Sequence, residues 1–113
     1  MTIAITSLFQ SVGQPKFTAL LADFLAANGD VNLPDTEGMT LLHHAAARGA
    51  RPGIRMLVGS GKCDYLLTDN KGRYASELAI EWARDYAVGR LLSKHQAMQA
   101  YQRGVPAYVP RAL

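Results

Sequence analysis

A chain of 113 residues, 49% hydrophobic and 19% charged, suffices for one continuous core and is too ordinary in composition to be disordered throughout. Its single Cys63 excludes an internal disulfide and fits a reducing compartment. Neither the start, Met1 to Phe9, nor any later stretch offers a basic lead with a long apolar run, or the roughly 18 apolar residues of a membrane span. One soluble, cytoplasmic domain without a cleaved signal is therefore expected. The net charge of +3 is uneven: −1 over residues 1–34, zero over 35–70 and +4 over 71–113.

Ile5, Leu8 and Phe9 sit at helical spacing, predicting a helix over 3–10 that Gly13 stops. Pro15 suits the first turn of a second helix, carrying Phe17, Leu20, Leu21, Phe24 and Leu25 and ending near Asn28-Gly29. Residues 29–35 are too polar and turn-rich for a helix and should run extended, reversing before Gly38. Thr40 is placed to cap the next helix, with His43 three residues on. Leu42, Ala45 and Ala46 give that helix a narrow stripe of small residues, which lets a neighbour approach closely. Gly49 ends it, and Pro52 opens a partner whose Ile54, Leu57 and Val58 face inward until Gly59-Ser60-Gly61.

The pattern then returns. Asp69-Asn70-Lys71-Gly72 turns, with Gly72 lying 34 residues after Gly38. A short helix is predicted from Ser76 to Ala83 through Leu78, Ala79 and Ile80, and a returning one from Asp85 to Ser93 through Val88, Leu91 and Leu92. Gln96 to Arg103 can prolong it, but Gly104, Pro106 and Pro110 forbid more, leaving an extended tail. Self-similarity at this period marks a solenoid, in which one unit cannot bury its apolar face alone and about three are needed. Terminal units should turn polar faces outward. Gln10, Ser11 and Gln14 at one end, and Ser93, Lys94 and Gln96 at the other, suit that role.

The residues Asp35-x-x-Gly38-x-Thr40-x-Leu42-His43-x-Ala45-Ala46-x-x-Gly49, then Leu57-Val58, Gly61 and Asp69-x-x-Gly72, resemble the ankyrin-repeat family. Its pattern is D-x-x-G-x-T-P-L-H-x-A-A-x-x-G, and only Leu41 departs, standing where the family has proline. Gly29-Asp30-Val31-Asn32 looks like the family's linker. The third unit departs further: Tyr74 to Glu77 replace T-P-L-H, Ala83 replaces glycine, and one residue is inserted around Lys62 to Asp64. The resemblance implies an all-α solenoid of about three stacked helical hairpins with short hairpin-like fingers. It divides the chain into an ankyrin-repeat domain over 1–95 (N-terminal cap 1–34, repeat 35–68, C-terminal repeat 69–95) and a helix extension with tail over 96–113.

Little else in the chain carries chemistry. His43 and His44 are neighbours on a helix, pointing about 100° apart, so they cannot readily share a metal, and no Cys or acid stands at ligand spacing. The resemblance implies instead that His43 hydrogen-bonds backbone between repeats. Cys63 has no base and orienting group converging on it in a cleft. Gly59-Ser60-Gly61-Lys62 lacks the strand and following hydroxyl of a phosphate loop, and no carboxylates pair. No catalytic residue, metal or cofactor is expected.

By the same resemblance, recognition falls on variable positions lining one concave face: Pro34, Thr36, Glu37, Met39, Ala47 and Arg48, then Thr68, Asn70, Lys71, Arg73, Glu81 and Trp82. Met39 and Trp82 would be apolar anchors ringed by charge, as interfaces require. The implied function is that of a small non-catalytic module that binds another protein, as an adaptor, inhibitor, immunity protein or chaperone-like factor. An alternative is nucleic-acid binding through Lys71, Arg73, Arg84, Arg90 and Lys94, with Trp82 or Tyr101 stacking on bases. Self-association through the end faces is a third reading. Docking of the tail, Arg103 to Arg111 with Tyr108, as an extended peptide is a fourth.

Overall fold

In the computed structural model, which describes residues 5–105, the chain forms six helices: α1 (Ile5–Ser11), α2 (Phe17–Ala26), α3 (Leu41–Arg48), α4 (Arg51–Gly59), α5 (Ala75–Glu81) and α6 (Tyr86–Gln102). They pair as three antiparallel hairpins that stack side by side. Strand geometry among the described residues is limited to one isolated antiparallel bridge, Thr68 with Tyr74. One core threads all three hairpins: Leu8 and Val12, then Phe17, Leu21 and Phe24, then Leu42, Ala45 and Ala46, then Ile54 and Leu57, and finally Ala79, Val88 and Leu92. Burying each large apolar side chain contributes about 1.5–3 kcal/mol, so the stacking faces supply most of the stability that these short helices lack alone. The alanines lie where α3 and α5 pack, and both Ala45 and Ala79 are wholly inaccessible.

The two fingers repeat one another in their turn-closing bonds. In the first, an Asp35 carboxylate oxygen accepts the N–H groups of Glu37 and Met39, each at 2.9 Å, and Gly38 N–H closes the turn onto Asp35 O. In the second, Asp69 does the same for Lys71 and Arg73, and Gly72 N–H closes onto Asp69 O. Gly38 and Gly72 adopt φ of 76° and 75°, a left-handed conformation that glycine takes without steric cost. The second carboxylate oxygen is spent differently: Asp35 binds His44 Nε2 at 2.7 Å, whereas Asp69 binds Arg73.

Caps fix where the inner helices start. Thr40 accepts His43 N–H, and His43 Nδ1 reaches back to Thr40 N–H at 3.3 Å, the reciprocal arrangement expected of a capping box. In the third unit Glu77 stands in for the histidine, accepting Tyr74 N–H at 3.0 Å. Gly49 ends α3 in the left-handed region, but Ala83 cannot cheaply follow it there. The turn after α5 instead places Arg84 at φ 55°, one position later.

Units are tied by bonds about one repeat apart in sequence. His43 Nε2 donates to Arg73 O at 3.1 Å, the inter-repeat backbone bond that the resemblance implies. Asn32 and Gln99 clamp the Lys62 to Tyr65 loop from both sides. Asn32 donates to Lys62 O and accepts Asp64 N–H, while Gln99 donates to Cys63 O and accepts Tyr65 N–H. Gln99 lies on the extension beyond residue 95, which continues α6 without a break.

Three expectations need correction. Ser11, Ser93 and Gln96 do not form polar outer faces; all are buried, Ser11 bonded to Leu8 O and Gln96 to Ser76 across the α5–α6 contact. Leu91 was expected inside but is 40% exposed, because α6 turns Val88 and Leu92 toward its neighbours and leaves Leu91 on the back. The helix predicted over Ser76 to Ala83 spans Ala75 to Glu81 instead. The tail beyond residue 105, with Tyr108 and Arg111, lies outside the described residues.

Candidate partner-binding groove

Most of the expected recognition residues lie along one edge, formed by the fingers and the exposed ends of α3 and α5. Thr36, Glu37, Asn70 and Lys71 are exposed at the fingertips, and Arg48, Glu81 and Trp82 are exposed at the helix ends. Arg48 and Trp82 occupy the same place in consecutive units, 34 residues apart. Each is held. Arg48 Nη1 donates to Val12 O at 2.8 Å, spanning to the first hairpin. Trp82, 55% exposed, has the Arg73 guanidinium 5.1 Å from its ring centroid. Arg73 is itself anchored on Asp69, so the indole is braced without being covered.

The fingertips are not independent. Asn70 N–H donates to Glu37 O at 2.9 Å, and its side-chain amide donates to Thr36 O at 3.0 Å. Asn70 therefore registers one finger on the next. Met39 does not belong to the exposed edge. It is 3% accessible, because the residue after the finger glycine is drawn to the base of the finger by reciprocal bonds with Asp35. Its counterpart Arg73 also sits at the base, and only its length carries it to Trp82.

Sequence reasoning missed the N-terminal end of this edge. A groove of about 750 Å³ opens between α1 and the first finger, lined by Ile5, Thr6, Phe9, Gln10, Pro34, Asp35, Thr36 and Arg48. The Phe9 and His44 rings meet there, centroids 5.3 Å apart. Burial alone would raise the Asp35 carboxyl, but hydrogen bonds from His44, Met39 and Glu37 outweigh it and hold the group below its ordinary 3.8. Asp69 follows the same logic, with Arg73 and Lys71 as its donors. The usable signal was Phe9 itself, an aromatic on the groove side of the first inner helix.

The residues weighed for chemistry lie apart. His43 points inward to Thr40 and Arg73, and His44 points to Asp35. Cys63 is buried on Leu57 O, and burial with nearby Asp64 pushes its thiol to about 12, so it stays protonated at neutral pH. Among the described residues no three His, Cys, Asp or Glu side chains converge as a metal site, and no helix is long and apolar enough to cross a membrane. Of the basic residues considered for a phosphate backbone, Arg73 is committed to Asp69 and Trp82.

A chain in a solved complex of a predatory endopeptidase from Bdellovibrio bacteriovorus with an immunity protein superposes on this structure with a TM-score of 0.67 at 26% identity. The match covers 83% of this chain and 47% of that one, so this chain spans about half the length of its solved neighbour. Residues 25–79 match the family model for ankyrin repeats in many copies, covering the first linker, both fingers, α3, α4 and most of α5. With their stacked hairpins and paired fingers, residues 25–79 are ankyrin repeats, and the fold is an ankyrin-type helical solenoid.

Proposed function

We propose that this chain is a non-catalytic protein-binding module of inhibitor or immunity type, which acts by seating its finger-and-helix edge on a partner protein. The ankyrin repeats of residues 25–79 support a protein partner, and the endopeptidase–immunity complex of the solved neighbour supports the inhibitory sense. The observation that carries the reading is Trp82, half exposed and braced by Arg73 among fingertip and helix-end side chains (Thr36, Glu37, Arg48, Asn70, Lys71, Glu81) that are polar or charged. An exposed, pre-positioned indole loses little conformational entropy on binding, and a central tryptophan is the kind of residue whose truncation weakens an interface by about 2 kcal/mol or more.

Trp82→Ala tests this. Because the ring is largely solvated, thermal unfolding should shift little. Capture of the partner by affinity purification from the native host should fall about 30-fold, as 2 kcal/mol implies. A partner that is a hydrolase inhibited by the wild-type chain supports the immunity sense. An equally strong capture by Trp82→Ala, or a large loss of stability, removes Trp82 from the interface.

A further inference from the structure

The first finger has two edges, and the described residues fill only one. On the filled edge, Asn70 N–H donates to Glu37 O. Thr36 is the position equivalent to Asn70, one unit earlier, and its N–H has no acceptor among the described residues. The groove beneath this edge has an apolar floor of Ile5, Phe9 and Pro34. We propose that the open edge takes up an extended segment of the protein partner, with a main-chain carbonyl accepting Thr36 N–H, an apolar side chain over Phe9 and Ile5, and an acidic side chain facing Arg48. The inference rests on the partner-binding reading above and gives that partner a recognisable chemistry.

Two observations select this occupant. The groove continues the finger–finger interface past its last member, so the missing acceptor is of the kind Glu37 already supplies: a backbone carbonyl in an extended or turning chain. A helix spends its carbonyls internally, whereas an added extended segment has them to offer. The charge at the rim is also one-sided. Asp35 is engaged by His44, while Arg48 commits one N–H to Val12 O and shows no partner for the others among the described residues. Such a guanidinium complements a carboxylate on the incoming segment.

The donor can be removed without touching the fold. Thr36 is the second residue of the Asp35–Gly38 turn, closed at 3.0 Å, and that position accepts proline. Random peptides displayed on phage should be panned on the full chain, and the selected peptides titrated into wild type, Thr36→Pro and Arg48→Gln. The expected result is a set of peptides pairing an apolar with an acidic residue. Each should bind about tenfold or more weakly to either variant, with the melting temperature of Thr36→Pro unchanged or raised. Equal binding to Thr36→Pro, or no peptide selected, overturns the inference. So does binding that appears only when residues 1–4 are deleted, which would make the chain's own segment the occupant. A native partner lost with Trp82→Ala but kept by Thr36→Pro would sink this inference alone; one kept by both would sink the partner-binding edge itself.

Discussion

His43→Ala is expected to destabilise the fold by about 2–4 kcal/mol, more than any surface change. The imidazole is 2% exposed and joins two units: Nδ1 serves Thr40 N–H, and Nε2 donates to Arg73 O. Removing it leaves the buried Thr40 N–H without its acceptor, at about 1–3 kcal/mol, strips Arg73 O of one of its two donors (Asp69 N–H remains), and opens a cavity. The same residue should make stability fall in mild acid. Burial holds His43 below its ordinary 6.5, outweighing the Arg73 carbonyl and Asp69, while His44 and Arg73 push the same way as burial. Protonating Nδ1 would also turn a proton against Thr40 N–H. In that window the unfolded chain binds more protons than the native one, so stability decreases as pH drops through 6.5 toward the folded value.

Asp35 and Asp69, both depressed, act in a separate window. Their contribution is present above 3.8 and is lost only as pH falls through their lower folded values. Urea midpoints at pH 7.5 and pH 5 check this directly. His43→Ala should flatten the difference between them. A residue of slope should remain from His95, which burial and Lys94 also depress.

The second large effect separates two glycines with the same backbone. Gly38→Ala should cost about 2–4 kcal/mol, and Gly72→Ala about 1 kcal/mol, close to the left-handed penalty alone. Their φ values differ by a degree, but a Cβ at Gly38 would lie 2.8 Å from the backbone nitrogen of Asn70, whereas one at Gly72 would meet nothing within 4 Å. The excess at Gly38 measures the finger-to-finger registry that Asn70 builds with Thr36 and Glu37. Chemical denaturation of the two variants side by side reads it, and equal losses would mean that the fingers are not registered there.

What was legible in the sequence was whatever a short local pattern determines. The Asp-x-x-Gly turns, the Thr40–His43 cap and the small-residue stripe of α3 each fix their own geometry within a few residues, and the fingers and inner helices follow. What stayed hidden depended on partners far along the chain. Ser93 and Gln96 read as a polar terminal face, yet they lie where α6 meets α5, with Gln96 on Ser76 twenty residues away. Met39 read as a fingertip anchor because its position varies in the family, but reciprocal bonds with Asp35 put it at the finger's base. The N-terminal groove needed α1 to be placed against the first finger before Phe9, Asp35 and Thr36 became neighbours. Periodicity shows which face is buried, not what covers it.

Site-specific photo-crosslinking in the native host tests the binding edge most directly. A benzophenone side chain would replace Arg48, Lys71 or Trp82 on the proposed face, and Arg55 or Ala87 beside the groove between α4 and α6 on the back. One protein joined from the first three positions and from neither of the last two is the expected result. A partner joined from Arg55 and Ala87 while the finger-and-helix edge stays silent would contradict it.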